Sequence, residues 1–283
     1  MKITLMTLNI VIPILTEFMK DRDMEKCLRR YEESMVLFAQ AGYTHVDVCN
    51  FEIKVLGLET VQKVLIKYGL GVGCLICFAS FAREDSDCVA VGVQGVNDAR
   101  ELGAQVLMLV PDADGTEGRT PEQIRARLAA NFAPVAACAK DRGLHPVVED
   151  TPDLRLHFCR AEDVLQVVDA APGLEVVYDS GNMLLTGEDP VEYYEKVAHR
   201  TAHIHLKDMR LAMPDEKQAD IAENGQGFCV APTGTGLVDL GAVIRKCKAL
   251  GYSGWYTLEF SQDPGMDRKN SLIRAREYIE NLM

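Results

Sequence analysis

The sequence lacks a surplus of positive charge. Its 283 residues include 30 Lys and Arg against 42 Asp and Glu, which gives a formal net charge of −12. Proteins that bind nucleic acid through the phosphate backbone usually carry a basic stripe. Lys and Arg form no cluster along this chain, so we predict that it does not bind nucleic acid. We interpret the acidity as a property that favours solubility.

Long apolar runs are lacking as well. No run approaches the roughly 20 residues that a membrane-spanning helix needs. Asn9 and Pro13 interrupt the apolar stretch near the amino terminus, which has no small-residue cleavage site. We therefore predict a cytoplasmic protein that has no membrane partner. The nine scattered cysteines fit a reducing compartment. Cys74 and Cys77 form a CxxC pair, but within a strand they would point to opposite faces.

The sequence does contain a regular alternation of short apolar runs and longer amphipathic stretches. Eight runs have the character of β-strands: residues 2–10, 44–51, 71–79, 105–112, 145–150, 175–182, 202–208 and 255–260. Between them, apolar residues recur at helical spacing. One such stretch begins with Thr120 as an N-cap and Pro121 at the first helical position, and it ends at Gly143. Pro134 inside it predicts a kink.

A strand followed by a helix, repeated eight times, predicts an α/β fold with a parallel sheet covered by helices. Eight such units close into a (β/α)8 TIM barrel, whose active site lies at the carboxyl ends of the strands. A doubly wound open sheet is the alternative, but no GxGxxG motif follows the first run. No linker divides the chain, so we predict a single domain over residues 1–283. The long connection at 209–237, after the seventh strand, is a candidate lid.

Polar residues end the last four predicted strands: Glu149, Asp179, His205 and Glu259. Each residue alone has a simpler explanation, such as a helix cap, a solvated loop residue or a satisfied core histidine. Together they would bring three carboxylates and one imidazole to one point, and such carboxylates repel one another without a cation. We therefore predict that these four residues bind one divalent metal ion. Oxygen ligands with one nitrogen favour Mn²⁺ or Mg²⁺, and then Co²⁺ or Zn²⁺.

The seventh strand supplies two further candidates, both for substrate binding. His203 shares a face with His205 but lies one layer deeper, where a satisfied core histidine is the simpler interpretation. Lys207 could neutralise an oxyanion or a substrate phosphate. A solvated lysine, or one paired with Asp208, is the alternative interpretation.

Two more substrate-binding candidates lie near the sixth and eighth strands. Asn182 could hydrogen-bond a substrate hydroxyl, although Asp-Ser-Gly-Asn is also a common turn sequence. Trp255 could form a wall that stacks against a sugar, although a core position is the simpler interpretation. Asp150 and Thr151, which follow Glu149, are interpreted as a loop residue and a cap.

The segments around these residues resemble one known superfamily. "VVED", "YDSGNMLLTGEDP", "HIHLKD" and "YTLEF" are similar to the strand-end motifs of xylose isomerase-like barrels, the sugar phosphate isomerases and epimerases. These include D-tagatose/D-psicose 3-epimerase, hydroxypyruvate isomerase, inosose dehydratase and, more distantly, endonuclease IV. The resemblance implies that Glu149, Asp179, His205 and Glu259 are metal ligands and that both glutamates form the catalytic acid/base pair. It also implies a homodimer or homotetramer.

The sequence departs from the epimerase pattern at two places. Epimerases carry a histidine three residues after the aspartate ligand, where this chain has Asn182, and they lack the Lys-Asp pair that follows His205 here. "HIHLKD" instead resembles inosose dehydratases and the broader isomerase-like branch. Endonuclease IV needs a trinuclear, histidine-rich site, and the six histidines and acidic composition of this chain argue against that relationship.

The predicted function is that of a metal-dependent isomerase or epimerase of sugars, sugar phosphates or keto-polyols. Glu149 and Glu259 would move a proton through an enediolate that the ion stabilises. A metal-dependent dehydratase is the main alternative, because the same enediolate can expel a neighbouring hydroxyl group as water. A metal- or sugar-binding barrel without catalysis is an alternative from another class. The expected partner is a small sugar or keto-polyol.

Overall fold

The computed structural model describes residues 2–84, 87–214, 216–217 and 219–283. Its strands are β1 (Lys2–Met6), β2 (His45–Cys49), β3 (Gly71–Ala79), β4 (Val106–Pro111), β5 (His145–Glu149), β6 (Glu175–Asp179), β7 (Thr201–Leu206), β8 (Met209–Leu211), β9 (Asp220–Ile221), β10 (Gly227–Val230) and β11 (Trp255–Leu258). Its helices are α1 (Leu8–Asp21), α2 (Met24–Gln40), α3 (Asn50–Leu56), α4 (Leu58–Lys67), α5 (Asp87–Glu101), α6 (Pro121–Asp141), α7 (Ala161–Ala170), α8 (Pro190–Val197), α9 (Leu240–Ala249) and α10 (Arg268–Leu282).

A closed barrel contains β1 to β7 in chain order, followed by β11, which is hydrogen-bonded to both β7 and β1. Every strand pairing in the barrel is parallel. The predicted (β/α)8 TIM barrel is confirmed, and the open sheet is excluded because β1 pairs with β11. Each of the eight predicted runs overlaps one barrel strand.

The largest error in the predicted strand bounds concerns the first run, which was expected to extend over residues 2–10. β1 ends at Met6, because Thr7 has helical backbone angles (φ −74°, ψ −25°) and α1 begins at Leu8. The residues that follow are apolar and buried at helical spacing, so they pack as one face of a helix: Ile10, Val11, Ile14 and Leu15. An apolar run that joins a strand to a helix was therefore interpreted as strand throughout.

The capping signal of α6 is confirmed. The Thr120 hydroxyl accepts a hydrogen bond from the Gln123 backbone N–H at 3.3 Å, and the Gln123 side chain accepts one from the Thr120 backbone N–H at 2.9 Å. This reciprocal pair satisfies two donors at the start of the helix. α6 continues to Asp141 with Pro134 inside it, and the kink at Pro134 stays a prediction.

Side chains inside the barrel and outside it form two separate hydrophobic clusters. The inner cluster contains Met6, Cys49, Cys74, Ile76, Val106, Met108, Val147 and Val177. The outer cluster lies between the strands and the helices and includes Cys77, Ile204 and Leu206. Cys74 and Cys77 therefore lie on opposite faces of β3, as strand alternation predicts.

The segment 209–237, predicted as a long loop, contains a three-stranded antiparallel sheet in the order β8-β10-β9. Residues 215 and 218 lie outside the part of the chain that the structure describes. The carboxylate of Asp208 holds both ends of the segment, because it accepts hydrogen bonds at 2.8–3.2 Å from the backbone N–H groups of Met209, Gly234, Gly236 and Val238.

Within the described ranges, no helix combines the length and the apolar character needed to cross a membrane.

Candidate metal centre

The four predicted metal ligands lie together at one side of the barrel mouth. Glu149 and Asp179 are the last residues of β5 and β6, His205 is the penultimate residue of β7, and Glu259 directly follows β11. These four strands are neighbours in the barrel, and parallel strands all end at the same rim. One ligand atom from each residue lies within 4.8 Å of the corresponding atoms of the other three.

The cluster is deeply buried, although not sealed. The side chains of His205 and Asp179 have no exposed surface, whereas those of Glu259 and Glu149 are 8% and 12% exposed. His205 Nδ1 lies 2.5 Å from Glu149 Oε1 and 3.5 Å from Glu259 Oε1. Solvent therefore reaches the site on the side of the two glutamates, and His205 forms the inner end of the site.

The turn after β6 orients Asp179. Its Oδ1 accepts hydrogen bonds from the backbone N–H groups of Gly181 and Asn182, both at 2.8 Å, so Oδ2 is left for the barrel mouth. A side chain at position 181 would be crowded because the residues that follow β7 pass close by. A Cβ at Gly181 would lie 2.8 Å from Met209 Cγ and 3.0 Å from Lys207 Cγ. The Asp-Ser-Gly-Asn turn is therefore part of the site.

Lys207 and Asn182 also belong to this cluster. Lys207 Nζ lies 2.9 Å from Glu259 Oε2 and 3.5 Å from Asp179 Oδ2, and it donates a hydrogen bond to Asn182 Oδ1 at 2.9 Å. The Asn182 Nδ2 group donates to the Asp150 backbone carbonyl at 2.7 Å. The alternative interpretation of Lys207 as a solvated or Asp208-paired residue was wrong, because its side chain is 9% exposed and contacts two of the candidate ligands.

The close approach of these groups shifts their pKa values in different directions. Burial alone would raise the pKa of Glu259, but Lys207 and His205 lower it to about 2. Burial raises the pKa of Asp179 to about 7, with Lys207 opposing the shift and the two glutamates adding to it. Burial lowers the pKa of Lys207, but the carboxylates of Asp179 and Glu259 outweigh this effect and hold it well above its usual value. Glu259 and Lys207 therefore form an ion pair.

Asp150 is a site residue that the sequence interpretation missed. It was assigned to a loop, but it is buried, and neither carboxylate oxygen has a hydrogen-bond partner among the described residues. Burial, Asp179 and Glu149 hold the pKa of Asp150 well above its usual range. The signal in the sequence was that Asp150 directly follows Glu149. Because the end of β5 places the Glu149 carboxylate in the barrel mouth, the next residue, Asp150, lies behind that carboxylate.

The donor set fits a divalent ion. Glu149 Oε1, Asp179 Oδ2 and both ring nitrogens of His205 are buried. His205 Nδ1 lies against Glu149 Oε1 and Asp179 Oδ2 faces Lys207 Nζ, while His205 Nε2 has no hydrogen-bond partner among the described residues. Such atoms are unfavourable when buried alone. Ligand atoms about 2.1 Å from an ion lie roughly 3–4 Å from one another, and the separations in the cluster are compatible with this geometry. An ion held by these four residues would bind one oxygen of each carboxylate and one of the two ring nitrogens of His205.

Two of the predicted substrate-binding residues lie elsewhere. Trp255 begins β11 and pairs with Lys2, and its ring centroid is 4.5 Å from that of His45. Four residues of strand separate it from Glu259, which is about 13 Å, so Trp255 cannot stack against a substrate at the metal centre. His203 is fully buried below His205, and its Nε2 lies 2.8 Å from Thr257 Oγ1. The simpler interpretation is therefore correct for His203, whereas Trp255 is a half-buried residue at the amino-terminal end of β11 and not a core residue.

Comparison with known proteins identifies the family to which this fold belongs. The sequence profile of the xylose isomerase-like TIM barrel family matches residues 36–282. An inosose dehydratase from Geobacillus thermodenitrificans (strain NG80-2) is 24% identical over 266 residues, which cover 88% of each chain.

Two solved structures share the fold. The IOLI protein with a binding zinc atom has a TM-score of 0.72 at 14% identity, and the match covers 100% of this chain and 98% of that one. A D-allulose 3-epimerase from Methylomonas sp. in complex with D-allulose has a TM-score of 0.70 at 16% identity, covering 90% and 92% of the two chains.

The chain belongs to the xylose isomerase-like TIM barrel family. This confirms the resemblance seen in the strand-end motifs. The proteins that it is similar to include enzymes of two reaction classes, a dehydratase and an epimerase.

Proposed function

We propose that this protein is a divalent-metal-dependent enzyme that removes a proton next to the carbonyl group of a sugar or keto-polyol and returns it, as an isomerase or epimerase. The observation that carries the proposal is the cluster of Glu149, Asp179, His205 and Glu259, whose ligand atoms converge at the mouth of the barrel. The printed names of similar proteins, with a zinc atom in one and D-allulose in another, support it.

The four residues would hold the ion through three carboxylates and one imidazole. Such a set suits Mn²⁺ or Mg²⁺ and also accepts Co²⁺ or Zn²⁺. When bound, the ion would stabilise the negative charge that develops on the carbonyl oxygen as the neighbouring carbon loses its proton.

Glu259 and Glu149 are the proposed proton carriers. Lys207 and His205 lower the pKa of Glu259 to about 2, so this carboxylate is in the ionised form that a proton acceptor needs. Glu149 lies at the other end of the ligand set, on β5, with β6 and β7 between it and Glu259, and its side chain is the more exposed of the two. Proton return by the second glutamate to the opposite face of the carbon gives an epimer, and return to the adjacent carbon gives an isomer.

A dehydratase is the second candidate function, and the curated relative named inosose dehydratase favours it. The first proton removal would be the same, and a neighbouring hydroxyl group would then leave as water. Lys207 is the ammonium group closest to this chemistry, since it lies 2.9 Å from Glu259 and 3.5 Å from Asp179. It would donate the proton that the leaving hydroxyl group needs.

Metal content is the first test. The wild type, Glu149→Gln and His205→Ala are incubated with Mn²⁺, desalted and analysed by mass spectrometry. We expect about one ion per chain in the wild type and a large loss in both variants, because the ligands must act together. Equal, negligible metal in all three proteins would contradict the site and the mechanism together.

The product then separates the candidate functions. The metal-loaded enzyme is incubated in D₂O with ketoses and inososes, and the mass of the recovered compounds is measured. An isomerase or epimerase introduces deuterium without loss of water, whereas a dehydratase gives a lighter, ultraviolet-absorbing enone. Bound metal without any deuterium exchange in a bound ketose would instead indicate a binding protein without catalysis.

A further inference from the structure

A layer of buried polar groups lies inside the barrel, one step deeper than the candidate metal centre. Thr4, Asp47, His203 and Thr257 come from β1, β2, β7 and β11, and none has exposed surface. We propose that Asp47 is a positioning residue, which fixes the ligands His205 and Glu259 by holding the residues below them. The inference rests on the proposed function, because it requires a metal ion at the four ligands.

The carboxylate of Asp47 is fully engaged. Oδ1 accepts hydrogen bonds from Thr4 Oγ1 at 2.9 Å and from the Cys74 backbone N–H at 3.0 Å. Oδ2 accepts a hydrogen bond from Thr257 Oγ1 at 2.6 Å and lies 3.3 Å from His203 Nε2. A buried carboxylate is stable when it accepts several hydrogen bonds. Asp47 therefore connects groups on four other strands at one point.

His203 and Thr257 are the residues through which Asp47 fixes the positions of the two ligands. The His203 ring packs edge-on against the His205 ring, with centroids 5.3 Å apart and planes at 81°. Thr257 is paired with His205 between adjacent strands, and it shares the inward face of β11 with Glu259, two residues later. Displacement of either residue would move a ligand, and metal affinity falls when the groups that orient ligands are lost.

The other two ligands have a different support. The inward residues two positions before Glu149 and Asp179 are Val147 and Val177, which belong to the inner hydrophobic cluster. Their positions are fixed by packing and, for Asp179, by the backbone turn that follows it. The polar layer therefore serves the half of the ligand set that comes from β7 and β11.

Asp47, Cys74 and His203 are also close enough to form a metal site themselves. The hydrogen bonds argue against this alternative, because both oxygens of Asp47 already accept hydrogen bonds. An ion there would displace these donors in an interior position without exposed surface. The structure thus favours a positioning role for this group.

Thr257 offers a matched pair of variants. Thr257→Val keeps the shape of the side chain and removes the hydroxyl group that lies between Asp47 and His203, whereas Thr257→Ser keeps this hydroxyl group. Mn²⁺ affinity is measured by titration calorimetry, alongside thermal unfolding of the metal-free proteins. We expect Thr257→Val to bind Mn²⁺ about tenfold more weakly, and Thr257→Ser to remain within about twofold of the wild type.

Met108→Ala is the control for a general loss of packing, because Met108 belongs to the inner cluster on β4 and contributes no ligand. It should lower the unfolding temperature without changing Mn²⁺ affinity. Equal affinity in Thr257→Val and Thr257→Ser, or an equal loss in Met108→Ala, would overturn the inference. An absence of metal in the wild type would instead overturn the proposed function.

Gly73→Ala gives a second approach if Thr257→Val does not fold. A Cβ at this position would lie 2.8 Å from Asp47 Oδ1, so the substitution displaces the carboxylate without removing a polar group. We expect weaker Mn²⁺ binding here too, by about tenfold. Unchanged affinity would contradict the positioning role. Two ions per wild-type chain, with one lost in Cys74→Ser, would show a metal site at Asp47 and also overturn the inference.

Discussion

The two halves of the barrel mouth differ in chemistry. β5, β6, β7 and β11 end in carboxylates, an imidazole and an ammonium group, and these groups contact one another. The inward residues near the ends of β1 to β4 are apolar or sulfur-containing, and Leu8, Phe78 and Val110 complete that side as partly buried neighbours of the inner cluster. The four candidate metal ligands and Lys207 thus all come from the second half of the chain.

This difference shows how the barrel supports a concentrated charge. Groups in the ionic half compensate one another: Lys207 pairs with Glu259, and Asp179 receives two backbone hydrogen bonds. The apolar half also contains two buried carboxylates, Asp47 and Glu52, but each accepts hydrogen bonds of its own. It keeps water and dielectric screening low, which strengthens the electrostatic interactions on the opposite side.

Removal of the positive charge from the ionic half should have the largest effect. Lys207→Met keeps an aliphatic chain but leaves Glu259 and Asp179 without their cation. We expect the metal-free variant to lose about 3–5 kcal/mol of unfolding free energy, measured by denaturant titration, and Mn²⁺ to restore part of it. Lys63→Met, at a fully exposed ion pair with Glu59, is the control and should change little. Equal stability of the two variants would show that Lys207 does not compensate the carboxylates.

A cavity in the apolar half should destabilise the protein without affecting the metal. Met108→Ala removes a buried side chain, and such truncations cost about 2–4 kcal/mol. The difference in unfolding free energy between the wild type and Met108→Ala should be the same with Mn²⁺ and without it. Denaturant titrations of both proteins under both conditions measure this. A loss that depends on the ion would mean that the two halves are coupled.

The ionic half should give metal-free protein an unusual pH dependence. The pKa of Asp179 is about 7 in the folded protein against 3.8 ordinarily. Between these values the folded state binds a proton that the unfolded chain has lost, so stability falls as pH rises. Asp179 should contribute a loss of about 2 kcal/mol from about pH 5.5 to about pH 7.

Asp179→Asn isolates this contribution. Its unfolding free energy, measured in the same pH range, should lack the decrease that Asp179 causes. With Mn²⁺ present, the wild type should instead gain stability as pH rises, because the ion binds the ionised carboxylates. The same pH dependence in Asp179→Asn and the metal-free wild type would assign the effect to another group.

The smallest effect concerns the residue that orients Lys207. Asn182→Ala removes the hydrogen bonds to Lys207 Nζ and to the Asp150 carbonyl, and we expect a loss of about 1.5 kcal/mol. In a Lys207→Met background the same substitution should cost less, because one partner is already absent. Equal costs in the two backgrounds, measured by a double-mutant cycle, would mean that Asn182 does not act through Lys207.

Much of the fold and the grouping of the four candidate ligands could be predicted because local sequence patterns determine them. Strand alternation placed His205 inward and Ile204 outward, and the charged strand ends indicated the rim. The positions of Trp255 and His203 relative to the site could not be predicted. Residues on one face of a strand extend from the bottom of the barrel to its mouth, and the sequence does not show which of them lie at a depth that substrate can reach.

Other features depend on contacts that are distant in sequence. The interaction of Lys207 with Glu259 joins residues 52 positions apart, and the burial of Asp150 depends on the neighbouring strands and the turn after β6. Asp47 did carry a local signal, as a charged residue between Val46 and Val48 in an apolar strand. Its four donors, however, come from β1, β3, β7 and β11, and only the closed barrel brings them together.

Asp208 has a consequence for how such a barrel can diversify. Its carboxylate binds the chain at both the exit and the return of the 209–237 segment, and its own backbone carbonyl accepts from Ala231 at 2.7 Å. The chain thus enters and leaves the three-stranded sheet at the same carboxylate. Insertions, deletions or exchange of its outer residues can alter what approaches the mouth while Lys207 and His205, directly before the attachment, keep their positions. One carboxylate therefore marks the boundary between the strand that carries His205 and the three-stranded sheet that follows it.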